Sequence, residues 1–123
     1  MSRLCILFVA LLCGACGPSL QDSVEKLGGS GEEREAAKQQ LLLAKERSVE
    51  PLLEALEEPR SAAARPELVE VLVSLMMRVD DARIEAVLNQ HLRTDPDPRV
   101  RARVARCMGM YKRQEAVESL LDA

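Results

Sequence analysis

The chain has 123 residues, enough for one domain or a short array of repeats, and carries a net charge of −3. Hydrophobic residues make up 47% of it but aromatic residues only 2%, so its core must be built from leucine, valine, alanine and methionine. This composition favours helices packed on helices over a β-sandwich or barrel, and the net charge argues against a general affinity for nucleic acid.

The N-terminal residues 1–15 have the layout of a secretory signal peptide. Arg3 precedes the apolar run 4–12, which is too short to cross a bilayer as a stable helix, and small residues then lead to Cys16. This ending resembles the lipobox of bacterial lipoproteins, in which the cysteine receives diacylglycerol. The resemblance implies cleavage after Ala15 and lipidation of Cys16. Ordinary signal-peptide cleavage and an uncleaved leader are the alternatives.

This interpretation also accounts for most of the cysteines. Cys5 and Cys13 would leave with the leader, and Cys16 would carry the lipid, so Cys107 alone would remain as a free thiol. One cysteine cannot form an internal disulfide, and stability must therefore come from packing. The protein is predicted to be exported and lipid-anchored to a bacterial membrane, on its periplasmic or cell-surface side.

Beyond the leader, residues 16–31 are expected to comprise the lipidated cysteine, a short helix that caps or tethers the array, and a flexible Gly/Ser link. The repeat domain would cover 32–123. Seven helices are predicted from helical spacing of apolar residues. Their approximate bounds are 19–27, 32–46, 48–58, 62–78, 81–93, a sixth from 98, and 114–122. Ser48 and Asp97 are the predicted N-caps of two of them, and Pro98 follows at a first helical position.

The fourth helix is predicted to lie at the centre of the molecule. Glu67, Glu70, Ser74 and Arg78 follow one another at intervals of three, four and four residues. This spacing leaves one narrow polar stripe on an otherwise apolar cylinder. Such a helix is expected to have neighbours on several sides.

Three helical segments align with one another at a period near 34 residues. They are SVEPLLEAL at 48–56, RIEAVLNQHL at 83–92 and EAVESLLDA at 115–123. Each of them follows another helix, so the repeating unit is a helical hairpin. Such hairpins bury their apolar faces only by stacking, and about three units are near the minimum for stability.

The last unit begins with alternating aspartate and proline. The residues that carry its pattern are Asp95, Pro96, Asp97, Pro98, Val100, Arg101, Ala105, Met108 and Gly109. The pattern resembles a HEAT-like repeat, of the variety also seen in phycobilin-lyase-type proteins. The resemblance implies a short right-handed α-solenoid of about three hairpins. In such repeats the residue at Arg101 commonly pairs with the turn aspartate, here Asp95 or Asp97.

No combination of residues points to catalysis or to a metal. His91 and Cys107 fall in different repeats, and no third orienting group is evident beside them. They are interpreted as a helix-end residue and a small core hydrophobe. One histidine and one free cysteine cannot fill a tetrahedral metal shell without carboxylates. The sequence therefore predicts neither an enzyme nor a bound cofactor or metal.

Positive charge is concentrated late in the chain. Between Arg78 and Arg113 there are nine basic and five acidic residues. Among them, Arg99, Arg103 and Arg106 fall on one side of the sixth helix, at spacings of four and three. One interpretation is a solvated face with local ion pairs. The other is a basic patch that binds an acidic partner segment or anionic lipid headgroups.

The leading hypothesis is a protein-interaction module, an adaptor or scaffold of the bacterial cell envelope, which binds its partner on the ridge of the second helices. One alternative is an accessory or enzyme subunit of the lyase-like HEAT type. Another is a truncated repeat protein that self-associates through its C-terminal helix, because Leu120 and Leu121 are expected to lie uncovered.

Overall fold

The computed structural model describes residues 19–58 and 63–122. These ranges form six α-helices and no strand. The helices are α1 (Leu20–Lys26), α2 (Gly31–Ala44), α3 (Glu46–Glu57), α4 (Arg65–Met76), α5 (Ala82–Thr94) and α6 (Pro98–Asp122). The predicted fold class, an all-α repeat solenoid, is confirmed.

The predicted signal peptide at 1–15 and the predicted lipidation site at Cys16 lie outside the described residues. Both stay predictions. Of the helices in the described ranges, none combines the length and the apolar character that crossing a membrane requires.

The helix α4 lies at the centre of the molecule, as its sequence predicts. It packs against α2, α3, α5 and α6. Its buried side chains are Leu68, Val69, Val71, Leu72, Val73 and Leu75. The neighbouring helices complete the same core with side chains that include Leu41, Leu52, Leu56, Ile84, Leu88, Val100 and Val104. Glu67, Glu70 and Ser74 of the polar stripe stay partly exposed, while Arg78 of the stripe lies beyond the end of α4.

Aspartates begin the last two helices. Asp81 Oδ1 accepts a hydrogen bond from the Arg83 amide at 3.0 Å, and Asp97 Oδ1 accepts one from the Arg99 amide at 2.9 Å. Pro98 follows as the first residue of α6, where its missing N–H costs no hydrogen bond. The predicted cap at Asp97 is therefore confirmed.

The predicted cap at Ser48 is wrong. The helix α3 begins at Glu46, and only Lys45 separates it from α2. Lys45 has a φ of 51°, which lets the chain change direction within one residue. Ser48 is buried in the first turn of α3, and its Oγ donates a hydrogen bond to the Leu41 carbonyl oxygen at 2.5 Å. The hydroxyl therefore joins α3 to α2.

The short helix α1 packs against α2 and α3. Val24 and Leu27 are buried there, and Ser23 Oγ donates a hydrogen bond to Gln40 Oε1 at 2.8 Å. The helix expected to cap or tether the array is thus docked on it and is part of the helical body.

The last two predicted helices are one helix. The helix α6 runs for 25 residues from Pro98 to Asp122, so the prediction of a separate helix over 114–122 is wrong. Gly109 lies within α6, where an added Cβ would meet nothing within 4 Å. A single glycine weakens a helix by about 1 kcal/mol without ending it. The third hairpin is therefore open, and every residue of 112–122 is exposed.

Candidate functional site

A groove of about 470 Å³ runs along α2, α4 and α6, which are the first helices of the predicted hairpins. Its charged lining consists of Arg34, Lys38, Glu67, Glu70, Arg103 and Arg106. Its less polar lining includes Val73, Met77, Cys107, Met110 and Tyr111. The groove is thus assembled from residues more than sixty positions apart in the sequence.

Two glutamates of the polar stripe form the floor of the groove, and cations from two other helices converge on them. Lys38 Nζ of α2 lies 3.0 Å from Glu67 Oε2 and 3.5 Å from Glu70 Oε2. Arg103 Nη1 of α6 lies 2.9 Å from Glu70 Oε2. Arg34 Nη1 lies 3.7 Å from Glu67 Oε1. This network joins α2, α4 and α6 across the groove.

Burial and opposite charge act against each other in this network. Burial alone would raise the pKa of Glu67, but the hydrogen bond from Lys38 and the nearby charge of Arg103 hold it below its ordinary value. Burial alone would lower the pKa of Lys38, but Glu67 and Glu70 hold it above its ordinary value. Both side chains are therefore charged at neutral pH.

Part of the bonding capacity of the groove is not used within the described chain. Arg34 Nε is buried and has no hydrogen-bond partner among the described residues. Arg106 lines the groove, and no acidic oxygen of the described ranges pairs with it. Guanidinium groups bind carboxylates through charge-assisted hydrogen bonds. The exposed Arg106 guanidinium can therefore receive an acidic oxygen from another molecule.

Adaptable apolar side chains border these charges. Met77 and Met110 are 50% and 63% exposed, while Cys107 and Tyr111 are half-buried. Methionine packs against surfaces of varied shape because its side chain is flexible. Burial raises the pKa of the Cys107 thiol, which is therefore protonated at neutral pH and a poor nucleophile. The groove has the character of a binding surface.

The three arginines selected from the sequence do not form one patch. Arg103 lies in the groove and donates a hydrogen bond to Glu70 Oε2, and Arg106 lines the same groove. Arg99 instead pairs with Asp97 at the start of its own helix, at 3.1 Å. Two of the three thus belong to the groove, and the third supports a helix cap.

The arginine expected to pair with the turn aspartate does so through the main chain. Arg101 Nη1 donates a hydrogen bond to the Asp95 carbonyl oxygen at 2.6 Å. The Asp95 carboxylate is occupied by Arg65 and His91. The carboxylate pairing that the resemblance implied for Arg101 is replaced by these two contacts.

His91 is held between two carboxylates in the last turn of α5. Its Nδ1 lies 2.6 Å from Asp95 Oδ2, and its Nε2 lies 2.6 Å from Glu57 Oε1. His91 and Asp95 are buried, whereas Glu57 is exposed. The prediction of a helix-end histidine is confirmed. Its carboxylate partners were missed, although the spacing of four between His91 and Asp95 is a signal that two residues share a helix face.

Arg65 connects this cluster to the start of α4. It donates two hydrogen bonds to the Asp95 carboxylate, one of them at 3.0 Å, and its Nε donates a third to the Leu56 carbonyl oxygen at 3.0 Å. Burial alone would raise the pKa of Asp95, but hydrogen bonds, of which that from Arg65 is the strongest, hold it below its ordinary value. The cluster therefore ties the ends of α3 and α5 to the start of α4.

Cys107 and His91 do not form a dyad. Cys107 lines the groove along α2, α4 and α6, whereas His91 lines a separate cavity of about 380 Å³. Within 19–58 and 63–122, no three or more histidine, cysteine and acidic side chains are placed to hold a metal ion. The histidine cluster is a structural tie between helices.

Comparison with known proteins identifies the family. The sequence model described as HEAT repeats matches residues 49–123, which span α4, α5, α6 and most of α3. No curated protein and no solved structure matches the chain. The match covers more than half of the sequence and agrees with the stacked helical pairs seen in the structure. The chain belongs to the HEAT-repeat family.

Proposed function

We propose that this protein is an adaptor or scaffold that binds a segment of a partner protein in the groove along α2, α4 and α6. HEAT repeats generally mediate protein–protein interaction, which supports protein binding in general. The observation that carries the proposal is the combination of the Arg106 guanidinium, which has no acidic partner among the described residues, with exposed methionines in one groove. The binding surface proposed here lies on the first helices and replaces the ridge of the second helices expected from the sequence.

The partner segment is proposed to be acidic and partly apolar. Four cations line the groove against two glutamates, and Arg106 has no acidic partner within the described ranges. A carboxylate of the partner would pair with Arg106, while its apolar side chains would cover Met77 and Met110. Charge complementarity of this kind contributes to specificity and to the rate of association.

We also propose that the protein is tethered to the bacterial cell envelope through a lipid on Cys16, and that it has no catalytic role. The signal-peptide layout of 1–15 supports the tether. Cys16→Ser is expected to release the protein from the membrane fraction, whereas Cys13→Ser is expected to leave it there. An intact mass that shows unmodified membrane-fraction protein beginning before Cys16 would contradict the tether.

Cross-linking in living cells tests the groove. A photoreactive amino acid replaces Met77, at the rim of the groove, and a control chain carries it at Glu54, which is exposed on α3. We expect one partner protein to be captured repeatedly from position 77 and not from position 54. That capture is expected to be lost in Arg106→Glu and kept in Arg93→Glu, which reverses an exposed charge outside the groove.

Two outcomes of this experiment would contradict the proposal. Equal capture from Arg106→Glu and Arg93→Glu would show that the groove does not contribute its charge to binding. Capture of nothing but the chain itself from position 77 would also contradict a partner protein.

A further inference from the structure

The helix α6 carries a stripe of side chains that extends beyond the body of its own chain. Its residues follow at intervals of four, three, four, three and four: Arg103, Cys107, Met110, Gln114, Val117 and Leu121. This alternation is the 3.5-residue repeat of a coiled-coil seam. The first four line the groove, and the last two lie on the exposed extension 112–122.

The outer end of this stripe is apolar, and Leu120 lies next to it on the helix. Val117, Leu120 and Leu121 are 51%, 77% and 80% exposed, and Met110 is 63% exposed. At about 1.5 Å per residue the extension is roughly 16 Å long. A helix of that length is marginal in water unless its apolar face packs against another surface. The extension therefore needs a partner.

Charge along α6 is divided by sign. From Arg99 to Arg113 the helix carries six basic residues and no acidic one, and from Gln114 to Asp122 it carries three acidic residues and no basic one. This order opposes the helix dipole, which favours acidic residues at the start of a helix and basic residues at its end. The division of charge therefore does not stabilise α6 by itself, but it makes one copy of α6 complementary to another.

We propose that the segment 110–121 of α6 packs antiparallel against the same segment of a second copy and forms a two-fold symmetric dimer. A two-fold contact requires a surface that complements itself. Antiparallel pairing about this centre places Glu118 of each helix beside Arg113 of the other, whereas parallel pairing would place like charges together. In the antiparallel seam, Met110 faces Leu121 of the second copy and Gln114 faces its Val117.

The body of the protein adds two methionines beside this seam. A cavity of about 230 Å³ there is lined by Met76, Met77 and Tyr111 and by Gln114, Glu115 and Glu118 of α6. The dimer covers the outer end of the groove at Met110 and Gln114, and it leaves the end near Lys38 open. The inference goes beyond the proposed partner binding and does not depend on it.

Disulfide cross-linking of the full chain in cells tests the dimer and its direction. All variants carry Cys107→Ser, which removes the native thiol of the stripe. The double variant Met110→Cys, Leu121→Cys is expected to form a covalent dimer on oxidation. Positions 110 and 121 lie about 16 Å apart on one helix, too far for a bond within a chain, so any such bond joins two chains. Each single variant is expected to form little dimer, because its cysteine faces a different residue.

A charge placed in the seam provides the matched control. Val117→Asp, added to the double variant, is expected to abolish the covalent dimer, and Ala116→Asp, which adds the same charge on another exposed face, is expected to retain it. Dimers that form equally well from the single variants would overturn the antiparallel arrangement. No dimer from the double variant, or a cross-link to a protein of different mass, would overturn the second copy as the occupant.

Discussion

Lys45 is the one residue of the described chain, glycines aside, that has a positive φ. At φ 51° and ψ −117° its Cβ is crowded by the backbone, and the conformation is one that glycine adopts with little cost. Lys45 must adopt this conformation because it is the only residue that links α2 to α3. The strain is therefore a consequence of the shortest possible connection in the first hairpin.

Lys45→Gly is expected to raise the free energy of unfolding by about 1 kcal/mol, because the relief of strain exceeds the entropy that glycine adds to the unfolded chain. Urea denaturation measures the change. Lys45→Ala is the matched control: it removes the same charged side chain but keeps the Cβ, and it is expected to change stability little. A gain of the same size in both variants would assign the effect to the lost side chain.

Asp95→Asn is expected to lower the free energy of unfolding by about 3 kcal/mol, because it leaves the largely buried Arg65 guanidinium without a counter-charge. The same change two residues later is the control. Asp97→Asn keeps a good N-cap and loses only an exposed pair with Arg99, so a much smaller loss of stability than in Asp95→Asn is expected. Equal losses in the two variants, measured by urea denaturation, would contradict the role of the buried cluster.

The same carboxylate makes stability depend on pH. Because the pKa of Asp95 is lower in the folded chain than in the unfolded chain, its contribution is complete above about pH 4 and is lost as the pH falls through the folded-state value. We expect the free energy of unfolding to fall on acidification below about pH 4, and to fall less steeply in Asp95→Asn. Urea denaturation at a series of pH values tests this. Identical slopes would exclude Asp95 as a source of acid sensitivity.

Local chemistry could be predicted from the sequence at Asp97, since an aspartate before a proline is a helix start in most contexts. The prediction of a cap failed at Ser48. A serine near the start of a helical pattern looks like a cap even when, as here, the helix begins earlier in the chain. The partners of His91 show a second reason. The contact with Asp95 could be predicted because Asp95 is four residues away along the chain. The contacts with Arg65 and Glu57 could not, because these residues reach the cluster from other helices.

At the scale of the element, the polar stripe of α4 was predictable because it depends only on helical spacing. Glu67, Glu70 and Ser74 all line the groove. The cations that meet these glutamates were not predictable, since Lys38 and Arg103 come from two other helices and are positioned by packing. The sequence thus predicted the polar stripe, Arg103 and Arg106 as separate features, and the packing of the helices brings them together in one groove.

The continuity of α6 was missed because the family pattern places a turn near Gly109. Glycine at that position suits a turn, yet it is also tolerated in a helix, and the residues that follow it are mostly good helix formers. Packing decides between these outcomes. In the structure, the first part of α6 lies against α4 and α5, and the helix continues past them.

Gly109→Ala distinguishes a continuous helix from a closed hairpin. In a continuous helix alanine is expected to stabilise the protein by about 1 kcal/mol, because the position has open space and glycine is a poor helix residue. Ala105→Gly, an exposed position of the same helix, is expected to destabilise by a similar amount. Thermal or urea denaturation gives both values. A loss of stability in Gly109→Ala would show that the chain turns there with a positive φ.

At the scale of the whole molecule, charged contacts connect helices that are distant in sequence, and two groups of these contacts include a largely buried side chain. The groove network joins α2, α4 and α6, and the Asp95 cluster joins α3, α4 and α5. The helix α4 belongs to both sets and is also the centre of the apolar core. Stability is therefore expected to be highest in α4 and lowest in 112–122, which the body does not cover.

Hydrogen exchange tests this distribution together with the proposed dimer. Amides of α4 are expected to exchange most slowly, and those of 112–122 are expected to be protected only while a second copy covers them. Val117→Asp should therefore make the 112–122 amides exchange rapidly and leave the α4 amides unchanged, while Ala116→Asp should preserve both. If 112–122 stays equally protected in Val117→Asp, the seam does not cover this extension, and a contact within one chain must account for its protection.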